Sequence, residues 1–111
     1  MVSDGSEMIR YNPSTSSIEA SNSKGFSWMM RYRCSGMGNV RAMTLHKGEI
    51  ILVSDHGIYA SSSAGKTWFL RNGQERSFVD VQDMGNELIA VASDGHVYAS
   101  SSGGFSWFKR R

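Results

Sequence analysis

Ser61-Ser62-Ser63-Ala64-Gly65-Lys66-Thr67-Trp68 is one of three copies of a single eight-residue phrase. The first copy is Ser21-Asn22-Ser23-Lys24-Gly25-Phe26-Ser27-Trp28, and the third is Ser100-Ser101-Ser102-Gly103-Gly104-Phe105-Ser106-Trp107. Trp28 and Trp68 lie 40 positions apart, and Trp68 and Trp107 lie 39 apart. A fixed period of about 40 residues marks a repeat architecture, in which each unit is too small to bury its own apolar face and stacks on the next. Function therefore has to be sought in the assembled array.

Reading outward from the phrase delimits the unit. In the second copy, Val40 to His46 is expected to form a strand, Lys47-Gly48 a turn, Glu49 to Ser54 a second strand and Asp55-His56-Gly57 another turn. Ile58-Tyr59-Ala60 then enters the phrase and Trp68-Phe69-Leu70-Arg71 leaves it. The third unit repeats the pattern with Phe78 to Met84, Glu87 to Ser93, His96 to Ser100 and Trp107-Phe108-Lys109, broken by Gly85-Asn86 and Asp94-Gly95. Short β-rich runs bounded by Gly, Asn and Asp are hairpin signals. The apolar runs Ile50-Ile51-Leu52-Val53 and Leu88-Ile89-Ala90-Val91 suit strands covered on both faces. The first unit aligns from Glu7, the counterpart of Glu49 and Glu87. Met1 to Asp4 forms a short first strand before the Asp4-Gly5-Ser6 turn, Met8 to Tyr11 a second, and Asn12 to Ser17 a longer connection into Ile18-Glu19-Ala20. No stretch has helical periodicity. The expected units run from 1 to 33, 34 to 73 and 74 to 111.

The phrase S-x-S-x-G-x-[ST]-W resembles the Asp box, S-x-D-x-G-x-[ST]-W, of sialidase-like (BNR-repeat) β-propellers. The resemblance implies an all-β fold of three four-stranded antiparallel blades, with each box a hairpin turn between the third and fourth strands. The matching positions are Ser21, Ser23, Gly25, Ser27 and Trp28; Ser61, Ser63, Gly65, Thr67 and Trp68; and Ser100, Ser102, Gly104, Ser106 and Trp107. Ser23, Ser63 and Ser102 replace the family's aspartate in every copy, so the boxes are degenerate. A serine hydroxyl can still bond a nearby backbone N–H, more weakly than a carboxylate.

Toroidal propellers need about four to eight blades, and three alone would expose two apolar blade faces. A homo-oligomer is expected, preferably a head-to-tail dimer closing six blades; a ring of nine or an open arc within a larger assembly are the alternatives.

Composition bounds the remaining choices. The 111 residues are 40% hydrophobic and 20% charged, as in a single soluble domain. Lone Cys34 cannot form an intrachain disulfide and is expected to be a small core residue. The net charge of +2 and the small basic clusters Lys109-Arg110-Arg111 and Arg31, Arg33, Arg41 do not make the broad patch that nucleic-acid binding requires. No run approaches the roughly 20 apolar residues of a membrane span. Met1 leads straight into a strand and turn, so no signal peptide is expected.

Catalysis is what the resemblance invites, yet no segment repeats the family's catalytic contexts of an arginine triad, a tyrosine with its glutamate, and an aspartate. Glu49 and Glu87 occupy equivalent places after tight turns, which favours a repeated structural role. The Asp55-His56 and Asp94-Gly95-His96 turns are explained by turn geometry, and a metal site would need several ligands converging on one ion. No cofactor or metal is expected. The tryptophans are expected to pack between blades, although aromatic rings can also stack on sugars. Tyr59 and Tyr98 match, whereas the first unit has Glu19 in their place. The connections Asn12 to Ser17, Cys34 to Asn39 and Asn72 to Ser77 are where recognition is expected, for a carbohydrate or protein ligand. The expectation is therefore a non-enzymatic binding or assembly module, adhesin-like or virion-associated by the resemblance and hence extracellular or on a virion. The alternatives are a sialidase-like glycoside hydrolase and an inactive piece of a longer propeller.

Overall fold

The computed structural model of the chain describes residues 1–3, 6–34, 36–73 and 78–110. Every regular element among them is a β-strand, and each strand runs antiparallel to the one before it within its blade. Blade 1 contains β1 (Val2–Ser3), β2 (Met8–Asn12), β3 (Ser17–Ser21) and β4 (Met29–Arg33). Blade 2 contains β5 (Val40–His46), β6 (Glu49–Ser54), β7 (Gly57–Ser61) and β8 (Phe69–Asn72). Blade 3 contains β9 (Phe78–Asp83), β10 (Leu88–Ala92), β11 (Val97–Ser100) and β12 (Phe108–Lys109). Each sheet is a simple up-and-down meander. The expected three four-stranded antiparallel blades are what the chain forms.

Several boundaries differ from expectation for local reasons. Trp28, Trp68 and Trp107 lie just before β4, β8 and β12, because each indole turns back to donate to its own turn's glycine carbonyl. Met84 falls outside β9, its N–H closing the next turn on the Glu87 carbonyl. The Asp4-Gly5 part of the first turn, and residues 74 to 77 of the last connection, lie outside the described residues. The β3–β4 and β7–β8 ladders both shift register at the same aligned place, after Ile18 and after Ile58. Such bulges raise local twist, and blades need that twist to splay outward from their first strands.

The apolar core lies between the blades. Ile9, Ile18 and Ala20 of blade 1 meet Ile50 and Leu52 of blade 2, while Ile51, Val53, Ile58 and Ala60 meet Phe78, Val81, Leu88 and Ala90 of blade 3. Strand β6 is thus buried on both faces, its alternate side chains serving two different neighbours. Each such buried aliphatic side chain contributes about 1.5–3 kcal/mol. The similar run in β10 differs from expectation: Leu88 and Ala90 are buried, but Ile89 and Val91 are only half-buried, because no blade covers their side. The tryptophans divide the same way. Trp107 is 7% exposed, with its ring 5.0 Å from Phe78. Half-buried Trp68 packs against the core between blades 1 and 2, its ring tilted 6.4 Å from that of Tyr32. Trp28 has no blade beside it and lies beneath the Arg10 guanidinium, 4.0 Å from the ring centroid. Cys34 is buried, which pushes its thiol pKa up.

Candidate functional site

The antiparallel meander places the repeated serine–glycine turns and the first hairpin turns at one end of every blade. The β2–β3 and β6–β7 turns and the connections between blades lie at the other end. Each end has its own chemistry.

At the first end the serines do two jobs. The buried hydroxyls of Ser21, Ser61 and Ser100 accept the N–H of Gly25, Gly65 and Gly104 at 2.9 Å. The second hydroxyl, on Ser23, Ser63 and Ser102, accepts the N–H of Ser27, Thr67 and Ser106, also at 2.9 Å. The indole N–H closes the loop on the glycine carbonyl at 3.1, 2.9 and 3.0 Å in the three copies. Gly65 and Gly104 have φ near +91° and +100°, and a Cβ there would sit 3.3 and 3.2 Å from the Cγ2 atoms of Ile18 and Ile58 on the preceding blade. Glycine is needed both for the turn and for the approach of one blade to the next.

Beside the second and third of these turns stands an ion pair that also joins blades. Arg31 grips Glu7 through both oxygens at 2.9 and 2.6 Å and donates to the Ala64 carbonyl of blade 2 at 3.0 Å. Arg71 repeats this on Glu49 at 2.9 and 2.7 Å and on the Gly103 carbonyl of blade 3 at 2.9 Å. Bidentate guanidinium–carboxylate pairs of this kind are directional and strong. The Arg71 hydrogen bond holds the Glu49 carboxyl below its ordinary pKa. A further pair joins blades 2 and 3, with His46 Nδ1 2.6 Å from Asp83 Oδ1.

At the other end the connection from Cys34 to Asn39 is stitched across blades 1 and 2. Cys34 N–H donates to the Ser16 carbonyl, Asp55 N–H to Asn39, and His56 N–H to Met37. Asp55 accepts from Arg41 Nε at 2.9 Å and from the Asn39 N–H at 3.3 Å, while His56 Nδ1 lies 3.1 Å from the Gly36 carbonyl. Gly38 allows this closeness, since a Cβ there would come 3.0 Å from that of Asp55. In blade 3, Asp94 accepts the His96 N–H across its turn. Ser35 of this connection lies outside the described residues.

Between blades 1 and 2, where β1 and β5 run side by side, a hollow of about 280 Å³ is lined by Met1, Arg10, Tyr11, Val40, Arg41 and Met43. Of its two arginines, Arg41 is braced by Asp55, whereas the Arg10 side chain turns to the opposite face of blade 1, over Trp28, where Glu19 holds it at 2.8 Å and Asn12 donates to the same carboxylate at 3.1 Å. Hydrogen bonds from Asn12 and then Arg10 lower the Glu19 pKa, and that from Arg41 lowers the Asp55 pKa. The hollow thus offers the braced Arg41 guanidinium beside a tyrosine and apolar walls, an arrangement suited to a polar, uncharged or carboxylate-bearing ligand. None of the expected recognition segments lines it; Arg41 belongs to the small basic cluster of the sequence, and Arg10, on a strand rather than a loop, was no candidate. Arg10 was legible as a charged residue where the aligned strands have Leu52 and Ala90.

No family model and no curated relative matches the chain. Solved structures do. YCF48 bound to a D1 peptide superposes with a TM-score of 0.70 at 12% identity, over 95% of this chain and 44% of that one. The N-terminal domain of Nup159 gives 0.68 at 10% identity, over 96% and 31%. An ancestral GH74 enzyme gives 0.70 at 18% identity, over 97% and 17%. All three are β-propellers, and at these identities the likeness is one of fold. The chain has the propeller fold and spans less than half the length of each.

Proposed function

We propose that the chain is a non-enzymatic propeller module for binding or assembly, working as a homo-oligomer at a bacterial or virion surface. We take its serine–glycine turns to be degenerate Asp boxes. The hollow lined by Arg10, Tyr11 and Arg41 carries this reading. Its ligand is a carbohydrate or a protein segment whose polar groups meet the braced Arg41 guanidinium while an apolar edge meets Val40 and Met43. The peptide held by YCF48 in the same fold supports the protein alternative. A binding rather than hydrolytic role is supported by the carboxyl group that braces Arg41 at the hollow. Glycoside hydrolysis needs a general acid with a raised pKa, whereas Asp55 is held down by its hydrogen bond from Arg41.

Screening against a glycan array and a peptide library, with Arg41→Ala as the control, tests the assignment. Binding to one class that weakens about tenfold or more in the variant is expected. Failure of both libraries to bind, or glycoside hydrolysis lost in Asp55→Asn, would overturn it.

A further inference from the structure

Junctions 1–2 and 2–3 are built from aligned parts, and the outer faces of blades 1 and 3 carry the halves of a third. On the forward side of a junction an arginine of the fourth strand, braced by a glutamate, reaches a carbonyl in the next blade's serine–glycine turn; Arg31 and Arg71 both do so. At junction 2–3 the Arg71 guanidinium also lies 4.6 Å from the centroid of the Phe105 ring in that turn. Below it an isoleucine of the third strand covers the turn's glycine, Ile18 over Gly65 and Ile58 over Gly104.

Arg110 is the aligned arginine of blade 3. It is gripped by Glu87 at 2.7 and 3.2 Å, but its side chain is 52% exposed, against 16% for Arg31 and 15% for Arg71. Val97 stands where Ile18 and Ile58 stand in the other blades, and Ile89 and Val91 line the uncovered face beside it. Blade 1 holds the receiving half. Its Lys24 carbonyl aligns with those of Ala64 and Gly103, and Phe26 aligns with Phe105 and is 93% exposed. Gly25 has no side chain of another blade within 4 Å of an added Cβ.

We propose that blade 3 of one copy docks on blade 1 of a second copy, with Arg110 donating to the Lys24 carbonyl, stacking on Phe26, and Val97 covering Gly25. This inference rests on the homo-oligomer reading above and assigns it a register. Two such joints close a six-bladed dimer. The joint is more polar than the internal junctions: where Leu52 and Tyr59, or Ala90 and Tyr98, meet a neighbouring blade, blade 1 presents the Arg10–Glu19 pair over Trp28. An ion pair taken out of water returns little net stability, so association is reversible while the internal junctions hold.

Analytical ultracentrifugation of the full chain over a concentration series tests this, with Phe26→Ala, Arg110→Lys and the double variant. Phe26 touches solvent almost everywhere, so its truncation leaves the blade intact. A concentration-dependent dimer of the 12.3 kDa chain is expected. Loss of the stacking at each joint weakens association about twofold to thirtyfold, hence about fivefold to several hundredfold for a ring closed twice. The double variant should be little weaker than Arg110→Lys alone, because the two residues act as one contact. A single-chain mass at every concentration would remove the oligomer reading and the docking together. A dimer unaffected by either substitution would overturn the register alone.

Discussion

Replacing each repeated tryptophan by alanine separates what the turn contributes from what a neighbouring blade contributes. All three indoles make the same bond to their own glycine carbonyl, so each variant loses the same turn closure, about 0.5–1.5 kcal/mol. Trp107 is almost fully buried with Phe78 5.0 Å away, and Phe78 in turn lies 5.3 Å from Tyr98. Truncating it adds the loss of a tilted aromatic pair and a cavity, for a total of about 3–5 kcal/mol. Trp28 lies under the Arg10 guanidinium, and its loss beyond the turn is that of a cation–π contact, about 0.5–1 kcal/mol. Half-buried Trp68 falls between. Urea unfolding followed by circular dichroism, at a concentration low enough to hold the chain monomeric, should give losses in the order Trp107, Trp68, Trp28 with nearly unchanged slopes. Since small domains are stable by only about 5–15 kcal/mol, Trp107→Ala should remove a large share of the total. Equal losses at all three sites would refute the assignment of Trp107 and Trp68 to the junctions.

Two further outcomes follow from the turns and the ion pairs. Gly104→Ala should destabilise by more than Gly85→Ala in the same unfolding assay. Both residues have φ near +90–100°, but only at Gly104 would the new Cβ press on Ile58, at 3.2 Å, while Gly85 faces open space; equal costs would show that the blades do not meet there. Glu49 has its pKa lowered from an ordinary 4.5, chiefly by the Arg71 hydrogen bond. Its contribution is therefore present above about pH 4.5 and lost as pH falls through the lower folded value. The acid-side fall in urea midpoint should be shallower in Glu49→Gln, and an identical pH profile in the variant would remove this pair from the stability of blade 2.

The clamp between blades shows how far residue patterns reach. Glu7, Glu49 and Glu87 align, as do Arg31, Arg71 and Arg110, and the equivalent places of Glu49 and Glu87 point to a repeated structural role. Their pairing with arginines some 22 to 24 residues away requires knowing that the first hairpin turn and the fourth strand end side by side. The hollow is similar: Tyr11 and Arg41 line it together only because β1 and β5 lie side by side.

The chain's own residues determined the period, the strands, the turn chemistry and the blade count, because each depends on bonds within a few positions: a serine to an N–H four residues on, an indole to a carbonyl three residues back. Tertiary structure decided what became of equivalent residues. Ile51 is buried and Ile89 half-exposed, and Trp107 is core while Trp28 lies under an arginine, although their local contexts match. In a repeat array the local code is the same in every unit, but burial depends on the neighbouring unit, and the outer blades each lack one.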